Sequence, residues 1–332
     1  MKLSSATPIR LFTSIELSDG NDTVNGTAVS DEINGLSGND VIDGLAGIDI
    51  IDGGSGNDTL YGGSDYDAIN GGDGNDFIIG DLYFTVPQEI EDHYYNHLYV
   101  TETAPDSADW IRGGDGDDTI ASGSWTHEYV ASEGLGNPYG GALNFSGGTS
   151  LAWANDSVWG QGGNDQIHGG GTLGGGIGND TITAVTDEHT VYGGAGDDAI
   201  SSAYGSGLIF GGAGDDTIVA GFGADTIWGG AGDDLIYGDD SGDDTAINTF
   251  KFKSGHGNDT ISSFSASHEV IDLSALDSRI DDFDALLAAT AEVTPTVGSS
   301  YDYAFLITTG DGDSIIIQGQ GSISLSDIDF IL

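Results

Sequence analysis

Aspartates that recur at a fixed spacing are the residues of this chain best suited to chemistry. Many of them close a glycine-rich hexapeptide of the form G-G-x-G-x-D, which a large apolar residue follows two positions later. Glycines adopt the backbone conformations that such a tight turn needs, so carbonyl oxygens of the turn can face the same side as the carboxylate. Hard oxygen ligands of this kind are those that calcium prefers. The pattern therefore predicts calcium sites in the turns.

The complete nonapeptide G-G-x-G-x-D-x-U-x, where U is a large apolar residue, occurs seven times. The copies are Gly53–Tyr61, Gly71–Ile79, Gly113–Ala121, Gly175–Thr183, Gly193–Ser201, Gly211–Val219 and Gly229–Tyr237. Its last three residues suit a short strand whose U side chain points into a narrow core. Two nonapeptides make a coil of 18 residues, so successive turns alternate between two edges. The sequence predicts an all-β fold, a parallel β-roll built as a right-handed β-solenoid.

The first edge is predicted to carry a line of aspartates that starts at Asp22 and ends at Asp259. Its eleven members, which leave gaps for up to about ten calcium ions, are Asp22, Asp40, Asp58, Asp76, Asp118, Asp165, Asp180, Asp198, Asp216, Asp234 and Asp259. Only 15 residues separate Asp165 from Asp180, which a shortened turn at 169–171 and a strand at 172–174 would explain. All seven complete repeats then fall on this edge.

The second edge departs from the motif in most coils. His189 and Gly207 stand at the aspartate position, so calcium is expected there only near Asp49 and Asp225. Neutral loss of redundant sites and selection for another role both explain this pattern. Loops commonly carry function, so the interruptions of the second edge favour a functional edge.

The composition restricts the classes of partner. The chain has 55 Asp and Glu against 6 Lys and Arg, a formal net charge of −49. Bound divalent cations would offset the resulting self-repulsion. Nucleic acid and anionic membranes are poor partners, because no basic patch is present to meet them. The chain has no cysteine, and its sequence shows no apolar run of transmembrane length and no ordinary N-terminal signal peptide.

Two long inserts interrupt the coils, at about residues 81–108 and 122–155, and both leave from the second edge. They hold most of the candidate catalytic residues, which with one residue outside the inserts are His93, His97, His127, Tyr129 and His189. Three interpretations stay open for the inserts: a small aromatic core, a carbohydrate-binding patch of Trp and Tyr side chains, or a catalytic or transition-metal site. The pair His93 and His97 is not an H-E-x-x-H zinc motif.

The pattern changes at the C-terminal end, where an open roll would need a cap. Residues Ile280, Phe283, Leu286 and Leu287 have helical spacing, and Asp277 or Ser278 is predicted to start the helix. Residues 301–308 and 314–318 flank a Gly-Asp-Gly-Asp turn and are predicted to form a hairpin. The expected organisation is a lead-in at 1–16, the roll at 17–249 and a small mixed cap at 250–332.

The nonapeptide resembles the repeat of RTX calcium-binding exoproteins. The C-terminal segment is similar to the last module of serralysin-type proteases, through F-x-F at 250–252, G-x-G-N-D-x-I at 255–261, V-I-D-L-S at 270–274 and a terminal Asp before apolar residues. This resemblance implies multiple bound Ca²⁺ ions, a secreted or cell-surface location, and an uncleaved signal for type I secretion machinery. It does not imply protease activity, because the H-E-x-x-H motif is missing. It does not imply a pore-forming toxin, because the acylated hydrophobic domain expected of RTX toxins is missing.

These expectations lead to two hypotheses about function. The first is a secreted calcium-binding roll that acts as a binding or surface-interaction protein, with a polysaccharide or cell-surface ligand as its partner. The alternative is an enzyme on an acidic polysaccharide, an alginate-type lyase or epimerase that would use the edge bearing the inserts.

Overall fold

The computed structural model describes most of the coils and the cap. The described residues are 13–81, 97–99, 110–115, 118–121, 128–130, 156–203, 205–238, 246–276, 280–293, 301–310, 312–321 and 323–332.

Short β-strands make up most of this structure. In chain order they are β1 (Thr13–Glu16), β2 (Thr23–Asn25), β3 (Asp31–Asn34), β4 (Val41–Asp43), β5 (Ile50–Ser55), β6 (Thr59–Gly63), β7 (Ala68–Asp73), β8 (Phe77–Asp81), β9 (His97–Tyr99), β10 (Trp110–Asp115), β11 (Thr119–Ala121), β12 (Glu128–Val130), β13 (Ser157–Gly162), β14 (Gln166–Ile177), β15 (Thr181–Ala195), β16 (Ala199–Ser202), β17 (Ser206–Ala213), β18 (Thr217–Val219), β19 (Thr226–Ala231), β20 (Leu235–Tyr237), β21 (Asn248–Lys253), β22 (Asn258–Ser262), β23 (Glu269–Ala275), β24 (Thr290–Glu292), β25 (Tyr303–Gly310), β26 (Asp313–Gly319) and β27 (Asp329–Ile331).

The roll consists of two parallel stacks of strands, in which most strands pair with the strand 18 residues further on. We call sheet one the stack β2, β4, β6, β8, β11, the first part of β14, the first part of β15, β16, β18, β20 and β22. We call sheet two the stack β1, β3, β5, β7, β10, β13, the second parts of β14 and β15, β17, β19, β21 and β23. The predicted parallel β-roll is confirmed.

The core is a double column of the U residues, one from each strand. The sheet-one column runs from Ile42 to Ile261, and the sheet-two column from Ile33 to Ile271, with each side chain at most 2% exposed. Full burial of an aliphatic side chain of this size contributes about 1.5–3 kcal/mol. The alternation along each strand leaves the residues before and after U on the outer face.

Two irregular features lie where the sequence predicts them. The register of β14 against β15 shifts between Gly169 and Gly171, and Leu173 then lies in sheet two opposite Val158. The predicted strand at 172–174 is confirmed, but residues 169–171 join the two sheets within the continuous strand β14 and not as a separate turn. The inserts leave sheet one after β8 and β11 and return at the start of β10 and β13. Their strands β9 and β12 pair antiparallel, so the two inserts contact each other as expected.

The cap extends both sheets beyond the last coil. Strand β26 lies parallel to β22 and forms an antiparallel hairpin with β25, while β27 pairs with β23. The predicted hairpin is thus confirmed. No helix among the described residues is long and apolar enough to cross a membrane.

The helix of the cap begins later than the sequence predicts. Helix α1 spans Phe283–Ala289, and the side chain of Asp282 accepts a hydrogen bond from the Ala285 amide at 2.8 Å. The prediction of a start at Asp277 or Ser278 is wrong, because Asp282 supplies the N-cap one residue before the first turn. Leu286 is fully buried, but Phe283 and Leu287 are about half exposed, so only part of the expected apolar face packs.

The turn at residues 62–67 contains a non-glycine residue in a left-handed conformation. Asp65 has a φ of 79° at the fourth turn position, where the complete repeats have glycine. We expect Asp65→Gly to stabilise the roll by about 1 kcal/mol, because glycine avoids the steric cost of this conformation. The greater conformational entropy of glycine in the unfolded chain offsets part of this gain. Chemical denaturation at saturating calcium measures the effect.

Asp73→Gly is the matched control, since Asp73 is an exposed acid in the next turn and does not have a positive φ. An equal or larger gain from the control would show that loss of charge, and not backbone strain, sets the effect.

Candidate calcium sites

A continuous chain of hydrogen bonds joins all eleven aspartates of the first edge. The backbone amide of each aspartate donates to Oδ1 of the next, beginning with Asp22 to Asp40 and ending with Asp234 to Asp259, at 2.8–2.9 Å in all ten links. The links across both inserts, from Asp76 to Asp118 and from Asp118 to Asp165, have the same length of 2.8 Å. The aspartates predicted from spacing therefore share one structural position.

The other carboxylate oxygen, Oδ2, faces a space between consecutive turns that the first glycine of each turn leaves open; we call this space a cradle. At Gly193, a methyl group in place of the glycine hydrogen would overlap both Asp198 Oδ2 and the carbonyl oxygen of Gly211 in the following turn. Only glycine leaves this space open. The same pair of oxygens, one carboxylate and one carbonyl of the next turn, converges at Gly35, Gly53, Gly71, Gly113, Gly160, Gly175 and Gly211.

These oxygens form the donor set of a hard divalent cation. Within the described part of the chain, Oδ2 is buried and accepts no hydrogen bond at Asp40, Asp58, Asp76, Asp180, Asp198, Asp216 and Asp234. An uncompensated buried carboxylate is strongly unfavourable, and calcium satisfies it with carboxylate and carbonyl oxygens together. Among the described residues, no group of three or more His, Cys, Asp or Glu side chains could hold a metal ion, so an ion in these turns also requires backbone carbonyl ligands.

Burial raises the pKa of several first-edge carboxyls. Desolvation raises the pKa of Asp180 and Asp198 to about 6, that of Asp216 to about 7 and that of Asp234 to about 8. The amide of the preceding aspartate opposes this shift, and the negative charge of neighbouring carboxylates adds to it. Protons and cations therefore compete for the same oxygens.

Protein groups take the place of an ion at both ends of the first edge. Oδ2 of Asp22 accepts hydrogen bonds from the Ser18 amide at 2.8 Å and the Ser18 hydroxyl at 2.7 Å. At the other end, His256 Nδ1 lies 2.6 Å from Asp259 Oδ2 and its Nε2 lies 2.8 Å from the Thr309 hydroxyl in β25. The terminal carboxylates of the first edge therefore have protein partners, the amide and hydroxyl of Ser18 at one end and the imidazole of His256 at the other.

The second edge keeps the same geometry in its first coils. Cradles at Gly26, Gly44 and Gly62 bring Oδ2 of Asp31, Asp49 and Asp67 close to a carbonyl of the next turn. The amides of Asp31 and Asp49 donate to Oδ1 of the next aspartate at 2.7 and 2.8 Å. Only Asp49 of this group was predicted from the sequence, since the imperfect glycines of these turns suggested loss of the site.

Asp156 is a further buried acid of the second edge that the sequence analysis missed. It directly precedes β13 and lies at the end of the second insert, where the absence of turn glycines hid it. The signal was present as Asn155-Asp156-x-Val158, the last part of the repeat. Asp-x-U followed by a strand is therefore a better guide to these positions than the glycines.

The later coils of the second edge lose the cradle. Ala184, Ser202 and Ala220 stand at the first turn position, where the cradles have glycine. Asp225 is buried and accepts the Gly207 amide at 2.7 Å, yet Ala220 carries a Cβ where an ion would need space. The expectation of calcium near Asp225 stays a prediction, and this alanine counts against it.

The candidate catalytic residues are only partly within the described structure. His189 is buried, with Nε2 4.0 Å from Asp225 Oδ1 and against the Cα of Gly207. His97 in β9 lies opposite Val130, and Tyr129 in β12 opposite Leu98. His93 and His127 lie outside the described residues. The catalytic assignment of all five residues stays a prediction.

Comparisons with known proteins agree with the geometry of the turns. The family profile described as RTX calcium-binding nonapeptide repeat (4 copies) matches residues 17–51, 52–82, 106–124, 154–171, 174–206 and 210–246, just over half of the chain. The search of curated proteins found no match to this sequence. Among solved structures, the extracellular lipase LipA from Serratia marcescens matches at 20% identity and a TM-score of 0.33. The match covers 96% of this chain and 40% of the lipase.

Filling one cradle should remove calcium from one site. We expect Gly193→Ala to bind at least one ion fewer, because its methyl group would stand against Asp198 Oδ2 and the Gly211 carbonyl. Overpacking of this kind also costs about 1–3 kcal/mol. Isothermal titration calorimetry gives the stoichiometry. Gly20→Ala is the control, since the nearest atom to its methyl group would be Ser18 Oγ at 3.9 Å. Wild-type stoichiometry for Gly193→Ala would refute the cradle as the site.

Folding without calcium should depend on pH. In excess chelator we expect a largely unfolded chain at pH 8 and a return of β structure as the pH falls toward 5. The folded-state pKa of several carboxyls is raised to about 6–8. Their protonation therefore stabilises the fold fully below the ordinary Asp pKa, and this stabilisation is lost as the pH rises through about 6–8.

Far-UV circular dichroism measures this change, and a calcium-saturated sample, folded at both pH values, is the control. An unchanged β signal in chelator at pH 8 would contradict the requirement for a cation.

Proposed function

Because the chain belongs to the family of RTX calcium-binding nonapeptide repeat proteins, we propose that it is a secreted roll that folds on binding calcium outside the cell and acts as a binding or surface-interaction protein. The observation that carries this proposal is the line of aspartates on the first edge, in which Oδ2 of each member from Asp40 to Asp234 lies against a cradle glycine. The chain is a calcium-binding β-roll protein. Its secretion and its role as a binding protein are what we propose.

The proposed ligands are carboxylates and turn carbonyls. Each ion would lie between consecutive turns of the first edge, held by Oδ2 of one aspartate and by carbonyl oxygens such as that of Gly211. On the second edge, Asp49 and Asp67 would hold ions in the same way. Calcium supplies charge compensation there, and the chain's own groups fix the spacing of the oxygens. Binding that occurs only in the folded state adds to its stability.

The location outside the cell follows from the dependence on calcium. A chain with a net charge of −49 repels itself as it becomes compact, and each coil adds further carboxylates. Modules that work at extracellular calcium concentrations bind the ion weakly compared with cytosolic buffers. The chain would therefore remain unfolded in a calcium-poor cytosol, which suits export through type I secretion machinery, and would fold after export.

A binding role is favoured over an enzymatic one by the described surface. The first edge is occupied by its acids, and the sheets present long outer faces with repeated side chains. Among the candidate catalytic residues, His189 is buried in the second edge. The lyase or epimerase hypothesis stays a prediction that rests on the inserts.

The C-terminal strand provides a test of export. We expect deletion of residues 329–332 to reduce type I secretion while the calcium affinity of the roll is retained. The deletion removes β27, which pairs only with β23 among the described strands, and coils of a solenoid depend mainly on their neighbours. Secreted and cell-retained protein are compared by immunoblot.

The control is Asp281→Ala with Asp284→Ala, two exposed acids of the cap outside β27, which should be exported like the wild type. Normal export of the truncated chain would contradict the proposed signal.

A further inference from the structure

The second edge forms a groove where its calcium cradles are missing. In the first of these coils β15 runs as one continuous strand from Thr181 to Ala195, so there the chain passes from sheet one to sheet two without a glycine turn. The groove has a volume of about 480 Å³, and its lining includes Gly171, Glu188, His189 and Gly207. Residues without a side chain at 171 and 207 make the surface concave.

One wall of the groove is a row of outward side chains on sheet two. Thr172, Thr190, Leu208 and Thr226 are in register on consecutive strands and all line the groove, as does Ser206. Parallel strands lie about 4.8 Å apart, so hydroxyl groups repeat along the roll axis over roughly 14 Å. Each hydroxyl both donates and accepts hydrogen bonds, and the exposed Leu208 adds an apolar contact among them.

A stacked aromatic column forms the shoulder beside this wall. Tyr192, Phe210 and Trp228 stand two residues after the wall residues, on the same outer face of the same strands. Their rings stack with centroids 5.1 and 4.5 Å apart and planes within 9°, and Tyr192 is 40% exposed. The exposed Tyr192 therefore adds an apolar surface beside the groove.

We infer that this groove binds a neutral polysaccharide, lying parallel to the roll axis. A sugar polymer presents hydroxyl groups and apolar C–H faces along its length, which matches a wall of hydroxyls with Leu208 among them beside a column of aromatic rings. A polyanion is the less favourable ligand for this groove, because the chain has 55 acidic and 6 basic residues and the exposed Glu188 lies in the groove itself. The inference rests on the proposed binding function and names its ligand class and its place.

Affinity electrophoresis with calcium present tests the inference. The gels contain hydroxyethyl cellulose, dextran or galactomannan as neutral polymers, and polygalacturonate as the acidic one. The test variant is Thr190→Ala with Thr226→Ala, which removes two groove hydroxyls. The matched control is Thr181→Ala with Thr217→Ala, at the same repeat position on the exposed face of sheet one.

We expect the wild type to be retarded by at least one neutral polymer, and the Thr190/Thr226 variant to bind it about tenfold more weakly, as the loss of two hydrogen bonds implies. The Thr181/Thr217 control should bind like the wild type. Absence of retardation by all three neutral polymers, equal binding by the test variant, or stronger retardation by polygalacturonate would each overturn the inference.

Circular dichroism of the same samples separates this result from failure of the proposed function. A variant that folds with calcium and does not bind refutes only the groove. A wild-type chain that keeps its β structure in excess chelator at pH 8 refutes the calcium-folded roll, whatever the gels show.

Discussion

The burial of carboxylates without a protein counter-charge is the constraint on which this structure depends. Asp40 and Asp216 are each about 1% exposed, and their Oδ2 atoms face a glycine of their own turn and a carbonyl oxygen of the next turn. A bound cation turns this unfavourable arrangement into the contact that spaces one coil from the next. The glycines are required because any side chain would occupy the ion's place, and the single apolar residue per strand suffices because the core is only two side chains wide.

The two edges show how the same coil tolerates the loss of this constraint. Where cradles persist, the turn is short and its conformation is fixed by glycine. Where Ala184 replaces the cradle glycine, the chain is extended instead. Stacking of Tyr192, Phe210 and Trp228 on the adjacent outer face joins this coil to the two that follow. Aromatic pairs of this kind contribute about 0.5–1.5 kcal/mol each beyond their burial. Coils freed from calcium on one edge thus retain another contact along the axis, while the first edge stays intact.

The sequence predicts the roll and its first edge in full, because both rest on an 18-residue period that survives the inserts. Asp118 and Asp165 could be placed on one line with Asp76 only because the repeat resumes in phase. Other features depend on contacts that no period encodes. The helix start at Asp282 is set by one hydrogen bond to Ala285, and the acids Asp31, Asp67 and Asp156 keep their positions although their turns lack the full glycine pattern. The groove depends on which strands become neighbours, so no local sequence motif predicts it.

The amide-to-carboxylate chain of the first edge has a direction, since the amide of each aspartate from Asp22 to Asp234 donates to the carboxylate of the next coil. Its two ends are therefore unlike, and each has a dedicated partner, Ser18 at one and His256 at the other. The chemistry of the termini is independent of how many coils stand between them. Duplication or loss of a whole coil would leave the hydrogen bonds at both ends intact. The length of such a molecule can therefore change during evolution in steps of a single coil.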